Sequence, residues 1–402
     1  MTNYGSRMRV LVAGAGVAGL ETALALQALA SEFVSVELVA PETEFTYRPL
    51  AVTEPFRVGE VRRFPLEPLA GAAGAQLRRG MLTAVDPEQK LVTLDEQGVL
   101  GYDVLVLTLG ARPVEAIAGA LTFRGAPEVP ELAELLDRAT SGRLRRIVFA
   151  LPAAATWPLP LYELALLTAE YLTDHMTRGV EVVLATPEDR PLALFGPEAS
   201  DAIRELLESR GIRLEAGVVP ISWDEGVLHL SGDGRIEADA VVALPKLEGP
   251  AIAGLPQDGA GFVPTGEFGR VLGLTDVYAA GDLTQFPVKQ GGIAAQQADA
   301  VASAIAADAG ATVEPTAFRP VLRGLLLTGL APRFLRSETG TGRSLVETEP
   351  LWWPPAKIVG RYLTPFLAEH LGLSQEYPRP ERTDAVPVEV ELDTREHAWS
   401  AV

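Results

Sequence analysis

Three glycines carry the first chemistry that can be read from the chain. Gly14, Gly16 and Gly19 form the run G-A-G-V-A-G between an aliphatic stretch, Arg9 to Ala13, and an Ala- and Leu-rich one, Leu20 to Ala30. Strand, tight turn and helix suit that spacing, because the turn brings backbone amides close to a pyrophosphate and the helix N-terminus favours negative charge. A bare tight turn is the alternative, and the flanking strand and helix weigh against it. A ribose-binding acid is expected about two dozen positions later, at the end of the next strand, Val34 to Val39. Ala40 holds that place. Glu42, just past Pro41, either reaches the same hydroxyls or is an ordinary solvated carboxylate, and both readings stay open.

A second constellation lies near residue 280. Val277-Tyr278-Ala279-Ala280-Gly281-Asp282 is a strand ending on a glycine and a carboxylate able to accept two hydroxyl hydrogen bonds. Lys289-Gln290-Gly291-Gly292 then opens an Ala-rich helix over 292–307. Free amides at such a start, with an ammonium beside them, stabilise an anion. Lys289 as a plain surface lysine is the alternative.

Together with Tyr102-Asp103 through Thr108-Leu109-Gly110-Ala111-Arg112-Pro113, these stretches resemble the flavoproteins that carry paired dinucleotide folds. That group includes the pyridine-nucleotide reductases, type II NADH dehydrogenases and sulfide:quinone oxidoreductases. The resemblance covers roughly residues 8 to 310 and is loose after Pro315. It implies FAD, held by Gly14, Gly16, Gly19, Glu42, Gly110, Gly281, Asp282, Gly291 and Gly292, with Asp282 on the ribityl chain. It further implies catalytic roles for Lys289, which would stabilise reduced flavin, and for Tyr47, which would line the pocket from the loop Phe45-Thr46-Tyr47-Arg48-Pro49-Leu50.

The elements that must position these residues read as an α/β fold with two Rossmann-like FAD/NAD(P)-binding domains and a smaller C-terminal domain. A second α/β pattern runs through a strand at Arg146 to Ala150, a helix from about Leu161 to Met176, a strand at Glu181 to Ala185, a helix at Glu198 to Arg210 and a strand at Ile212 to Ala216. Gly211 suits a left-handed helix cap. Expected boundaries are 1–112 with 262–314 for the FAD unit, 113–261 for the second unit and 315–402 for the rest. The second unit lacks the glycine fingerprint: Leu151 to Pro160 contains no glycine but holds Pro152, Trp157, Pro158 and Pro160. Its nucleotide site therefore reads as degraded, and the Trp–Pro loop as a wall of a substrate channel. Trp352 to Pro355 reads as core packing or a border of the substrate side, and Val386 to Leu392 as an edge strand.

Composition narrows the chemistry. The chain has no cysteine, which removes thiol nucleophiles, disulfide relays and the cysteine-based sulfur chemistry of the sulfide-oxidising relatives. A net charge of −19 over 402 residues disfavours nucleic acid and anionic lipid. His175, His229, His370 and His397 are far apart, so no metal is expected. Met1 to Arg9 does not read as a secretory signal, and Pro152, Pro158, Pro160 and Glu163 interrupt the apolar stretch 147–169. The expected protein is cytoplasmic with at most peripheral membrane contact, and a homodimer stays open. Its expected function is an FAD-dependent oxidoreductase passing electrons from a small-molecule donor to a quinone or other acceptor without cysteine chemistry. An NAD(P)H-dependent reductase and a non-catalytic flavin-binding redox sensor are the alternatives.

Overall fold

The computed structural model describes residues 7–95, 98–337, 344–352 and 356–370. Seven α-helices are described: α1 Val17–Ala30, α2 Leu66–Ala72, α3 Val129–Thr140, α4 Leu159–Asp174, α5 Pro197–Ser209, α6 Gly291–Asp308 and α7 Leu363–His370.

Two five-stranded parallel sheets organise the chain. In the first, the strands run in the order Val277–Ala279, Val104–Leu107, Met8–Ala13, Val34–Ala40, Ala75–Arg79. Side chains alternate across a strand, so a sheet covered on both faces needs apolar residues at every position. Val10 and Val12 enter a core shared with α1 and α6, while Leu11 and Ala13 enter the core on the opposite face. A three-stranded antiparallel sheet, Leu82–Asp86, Leu91–Leu94 and Gly98–Gly101, covers that opposite face.

The second sheet repeats the plan, in the order Leu121–Thr122, Ala240–Ala243, Arg146–Ala150, Glu181–Thr186, Ile212–Ala216. Ile147 and Phe149 pack with residues of α3, α4 and α5, whereas Val148 and Ala150 pack beneath a second antiparallel sheet that contributes Leu228 and Ile236. Between the two folds the chain leaves along Arg112–Val114 and returns along Lys246–Glu248, paired antiparallel.

In both sheets the strand order reverses beside the first strand of the unit. Ligands of such sheets bind at the carboxyl ends of the strands, at that reversal. In the first fold it brings the loop after Ala13 against the loop after Leu107, and Thr108 Oγ1 donates to the carbonyls of Ala13 and Gly14 at 2.9 and 2.8 Å.

The region after Pro315 divides its burial between both folds. Leu322, Leu326 and Leu335, in and before the antiparallel sheet Arg323–Leu326, Arg333–Ser337 and Ser344–Glu347, join the core of the second fold. Leu363 and Leu367 of α7 join the core around α1. The expected edge strand at 386–392 and Trp353 to Pro355 lie outside the described residues. Trp352 packs edge-on to Phe334, with centroids 5.1 Å apart.

Candidate flavin site

Gly14 turns the chain out of the first strand at φ +107°, a region L side chains rarely adopt, and a Cβ there would overlap the Thr108 carbonyl. A Cβ on Gly19 would overlap the Gly14 carbonyl, so α1 sits against its own entry turn only because position 19 is glycine. Around Gly16 the opposite holds, with nothing within 4 Å of where a Cβ would stand. Gly16 caps α1 without a side-chain hydrogen bond, and the first turn of the helix carries no acidic residue. Its leading amides therefore border open space in the positive end of the helix dipole, which is what a pyrophosphate requires.

Gly281 and Asp282 form a short turn after the strand Val277–Ala279. Gly281 has φ +79° and lies between α1 and α6, with Ala18 and Ala294 at 3.1 and 3.6 Å from a Cβ placed there. Its amide donates to Gln297 Oε1 at 2.7 Å, so α6 fixes the turn. Burial pushes the Asp282 carboxyl upward, and the charges of Lys289 and Arg48 oppose that shift. No hydrogen bond from a described residue reaches this carboxylate, and the charges near it act at longer range. Asp282 is half-buried, so a carboxylate without a protein donor remains open to the hydroxyls of a ribityl chain. The residues present thus fit FAD.

Lys289 is buried, not a surface lysine. Its ammonium donates to the Thr284 carbonyl and lies 3.9 Å from the centre of the Phe262 ring, and desolvation lowers its pKa to about 8. Gln290 caps α6, accepting from the Ile293 amide at 2.9 Å. Gly291 sits under Ile358, which lies 2.8 Å from a Cβ built at that position. Gly292 meets the Gln290 side chain in the same way at 3.0 Å. Gly110, at φ +71°, borders open space beyond the strand Val104–Leu107. Glu42 is exposed past the end of the strand Val34–Ala40, and its carbonyl accepts from Arg79.

Tyr47 turns out to anchor the C-terminal segment. Its hydroxyl accepts the Ile358 amide at 3.0 Å, and burial pushes its pKa up to about 12. One residue earlier, Lys357 donates to the Pro49 carbonyl at 3.1 Å and to both oxygens of Glu163 at 2.7 and 2.6 Å. Glu163 is fully buried on α4, and Leu327 donates its amide to it at 2.9 Å. One lysine therefore ties the Tyr47 loop, the helix of the second fold and the C-terminal segment together beside the start of α6. Sequence reasoning missed this pair. The available signal was Glu163 itself, a charge inside an apolar run.

At the equivalent reversal of the second fold the space is filled. Pro158 caps α4 and Pro160 stands in its first turn, so two amides are missing where a pyrophosphate would need them. Trp157 packs edge-on to Phe195, with ring centroids 5.9 Å apart. Glu188, past the strand Glu181–Thr186, accepts from Tyr162 Oη at 2.6 Å and Thr186 Oγ1 at 3.0 Å. Burial pushes its carboxyl upward, and these bonds oppose the shift. The carboxylate placed to meet a ribose is thus engaged by the protein's own hydroxyls.

Among the described residues no group of three or more His, Cys, Asp or Glu is placed to hold a metal. His229 contacts Asp224 at 3.2 Å, diagonally across an antiparallel hairpin in which Ser222 stands opposite His229. No described helix is long and apolar enough to cross a membrane.

Residues 163–304 match the family model described as pyridine nucleotide-disulphide oxidoreductase. The matched stretch runs from within α4 to within α6. A curated relative, an NADH dehydrogenase-like protein of Mycobacterium tuberculosis, is 26% identical over 315 residues, which is 68% of this chain and 72% of the relative. Among solved structures, the sulfide:quinone oxidoreductase of Aquifex aeolicus superposes with a TM-score of 0.77 at 19% identity, covering 85% of this chain and 86% of that one. NDH2 of Plasmodium falciparum gives 0.55 at 16% identity, covering 69% and 64%. The chain has the α/β architecture with Rossmann-like folds that these structures share.

Proposed function

We propose that this chain is an FAD-dependent enzyme that takes electrons from a small-molecule donor other than NAD(P)H and delivers them to a quinone or another acceptor, without protein thiols. The observation that carries the reading is the contrast between the two reversals: open amides at Gly16 in the first fold, prolines and an engaged Glu188 in the second. Bound FAD supplies two-electron chemistry that also divides into single electrons. The chain's own part is to hold the pyrophosphate at α1, to present Asp282 to the ribityl hydroxyls, and to close the flavin side with Lys357, Ile358 and Tyr47. With no cysteine in 402 residues, the donor must react with flavin directly. We assign residues 1–112 and 262–314 to the FAD unit, 113–261 to the second and 315–402 to the C-terminal region. The same reading places the protein in the cytoplasm, with peripheral membrane contact as its limit.

A second reading, an NAD(P)H-dependent reductase, is favoured by the NADH dehydrogenase-like relative. An anaerobic screen of reductants against the FAD-loaded protein, followed by visible absorption, separates the two. Bleaching by quinols or other small reductants, followed by turnover with artificial acceptors, is expected. Bleaching by nicotinamide cofactors alone would install the second reading, and absence of turnover with every acceptor would indicate a flavin-binding sensor.

A further inference from the structure

Glu21 is fully buried one turn into α1 and takes no part in the glycine turn. Its Oε1 accepts the Tyr362 amide at 2.8 Å and its Oε2 the Leu363 amide at 2.7 Å. Gly360 passes so close that a Cβ there would stand 2.6 Å from Glu21 Oε2. Among the described residues no cation pairs with this carboxylate, so the backbone leading into α7 supplies the donors that its burial requires. Releasing that backbone would strand the acid.

The hold reaches further along the segment. Thr364 Oγ1 accepts the Gly360 amide at 2.7 Å and donates to the Ile358 carbonyl at 2.9 Å, which ties 358–364 into one loop. At the far end of that loop Ile358 lies against Gly291 at the start of α6, and its amide donates to Tyr47 Oη at 3.0 Å. Lys357 carries the segment on to Pro49 and to Glu163 of α4. The chain therefore crosses from the second fold, past the Tyr47 loop and the start of α6, to α1. Each of these fastenings is made to a protein group, so none of them depends on the cofactor.

We infer that Glu21 is a positioning residue that shuts segment 356–364 as a gate over the flavin side, so that FAD enters and leaves only when Glu21 releases the Tyr362 and Leu363 amides. The inference rests on the FAD reading and adds to it what sets the rate of cofactor exchange. Gly16 and Asp282 hold FAD by its pyrophosphate and ribityl chain, whereas Glu21 acts on neither. A gate that is equally shut over the empty and the filled site slows entry and release alike and leaves the affinity unchanged. Gln at position 21 keeps one acceptor oxygen and sets an NH2 group against the other amide. Losing that charged hydrogen bond is expected to favour the open gate by roughly 10- to 100-fold.

Stopped-flow uptake of FAD by the full-length apoprotein, and release of bound FAD into an excess of 8-chloro-FAD, test this. In the parent the uptake rate is expected to level off with rising FAD at the rate of gate opening. In Glu21→Gln both the plateau and the release rate are expected to rise roughly 10- to 100-fold, with a dissociation constant within about threefold of the parent's. Tyr47→Phe removes the acceptor of the Ile358 amide and is expected to move both rates the same way, which keeps the test open should Glu21→Gln not fold. A parent uptake rate that stays linear in FAD overturns the inference without any variant. Weaker FAD binding without faster uptake in Glu21→Gln, the mark of a residue that only supports the fold, overturns it too, as do parent-like rates in both variants. A parent that takes up no FAD would overturn the FAD reading itself, and the gate with it.

Discussion

Replacing Lys357 with Met is expected to strand the Glu163 carboxylate. Glu163 is fully buried, and among the described residues its remaining donor is the Leu327 amide. Breaking a buried ion pair from one side costs roughly 3–5 kcal/mol. The carboxyl has one escape, which is to take up a proton. From its ordinary value of 4.5, protonation at about pH 7 spans about 2.5 units, or about 3.4 kcal/mol at about 1.36 kcal/mol per unit. The penalty at neutral pH should therefore lie near the lower end of the range. Its pH dependence has a definite sign: the folded variant holds a proton that the unfolded chain releases above 4.5, so stability falls as pH rises. Near pH 5 the penalty should shrink to roughly 1 kcal/mol. Urea unfolding followed by tryptophan fluorescence at about pH 5, 6 and 7 measures it, with Glu163→Gln/Lys357→Met as the control that removes both charges. A penalty equal at all three pH values, or undiminished in the double variant, would refute the view that Lys357 is there to compensate an ionised Glu163.

Asp282→Ala should weaken FAD binding by roughly 10- to 100-fold, because hydrogen bonds to a charged group contribute about 1.5–3 kcal/mol; fluorescence titration of the apoprotein with FAD measures this, and parent-like affinity would count against the assignment. Tyr162→Phe should cost roughly 1–2 kcal/mol of unfolding free energy by taking one of the donors from half-buried Glu188. The same variant is expected to gain no nicotinamide binding, since Pro158 and Pro160 remain; a tight NADH isotherm would contradict that.

The parallel strands are legible in the sequence because both of their faces are buried, so Val104–Leu107 and the run Ile147 to Ala150 stand out as unbroken apolar stretches. Gly211 ends its helix at φ +66°, as its position before a strand suggests. The covering antiparallel sheets leave a weak signal because their strands are short and half-solvated, as in Gly98–Gly101. Helix α3 is absent from the sequence reading, although Leu132, Leu135, Leu136 and Ala139 recur at helical spacing and are all buried. The phosphate turn is readable because its chemistry lies within six residues, 14–19. Glu163 and Lys357 lie 194 positions apart, and Glu21 acts on Leu363 across 342, so only the folded packing brings those partners together. The closed second site is half legible: missing glycines and added prolines show in the chain, but the capture of Glu188 by Tyr162 needs the turn of α4 that places them side by side.

Anaerobic stopped-flow mixing of the FAD-loaded protein with NADH and with NADPH tests the contrast between the open first site and the filled second one. With two amides replaced by proline and Glu188 held by Tyr162, the expected result is slow, non-saturating bleaching with either nucleotide. Rapid bleaching that saturates at micromolar nucleotide would contradict it.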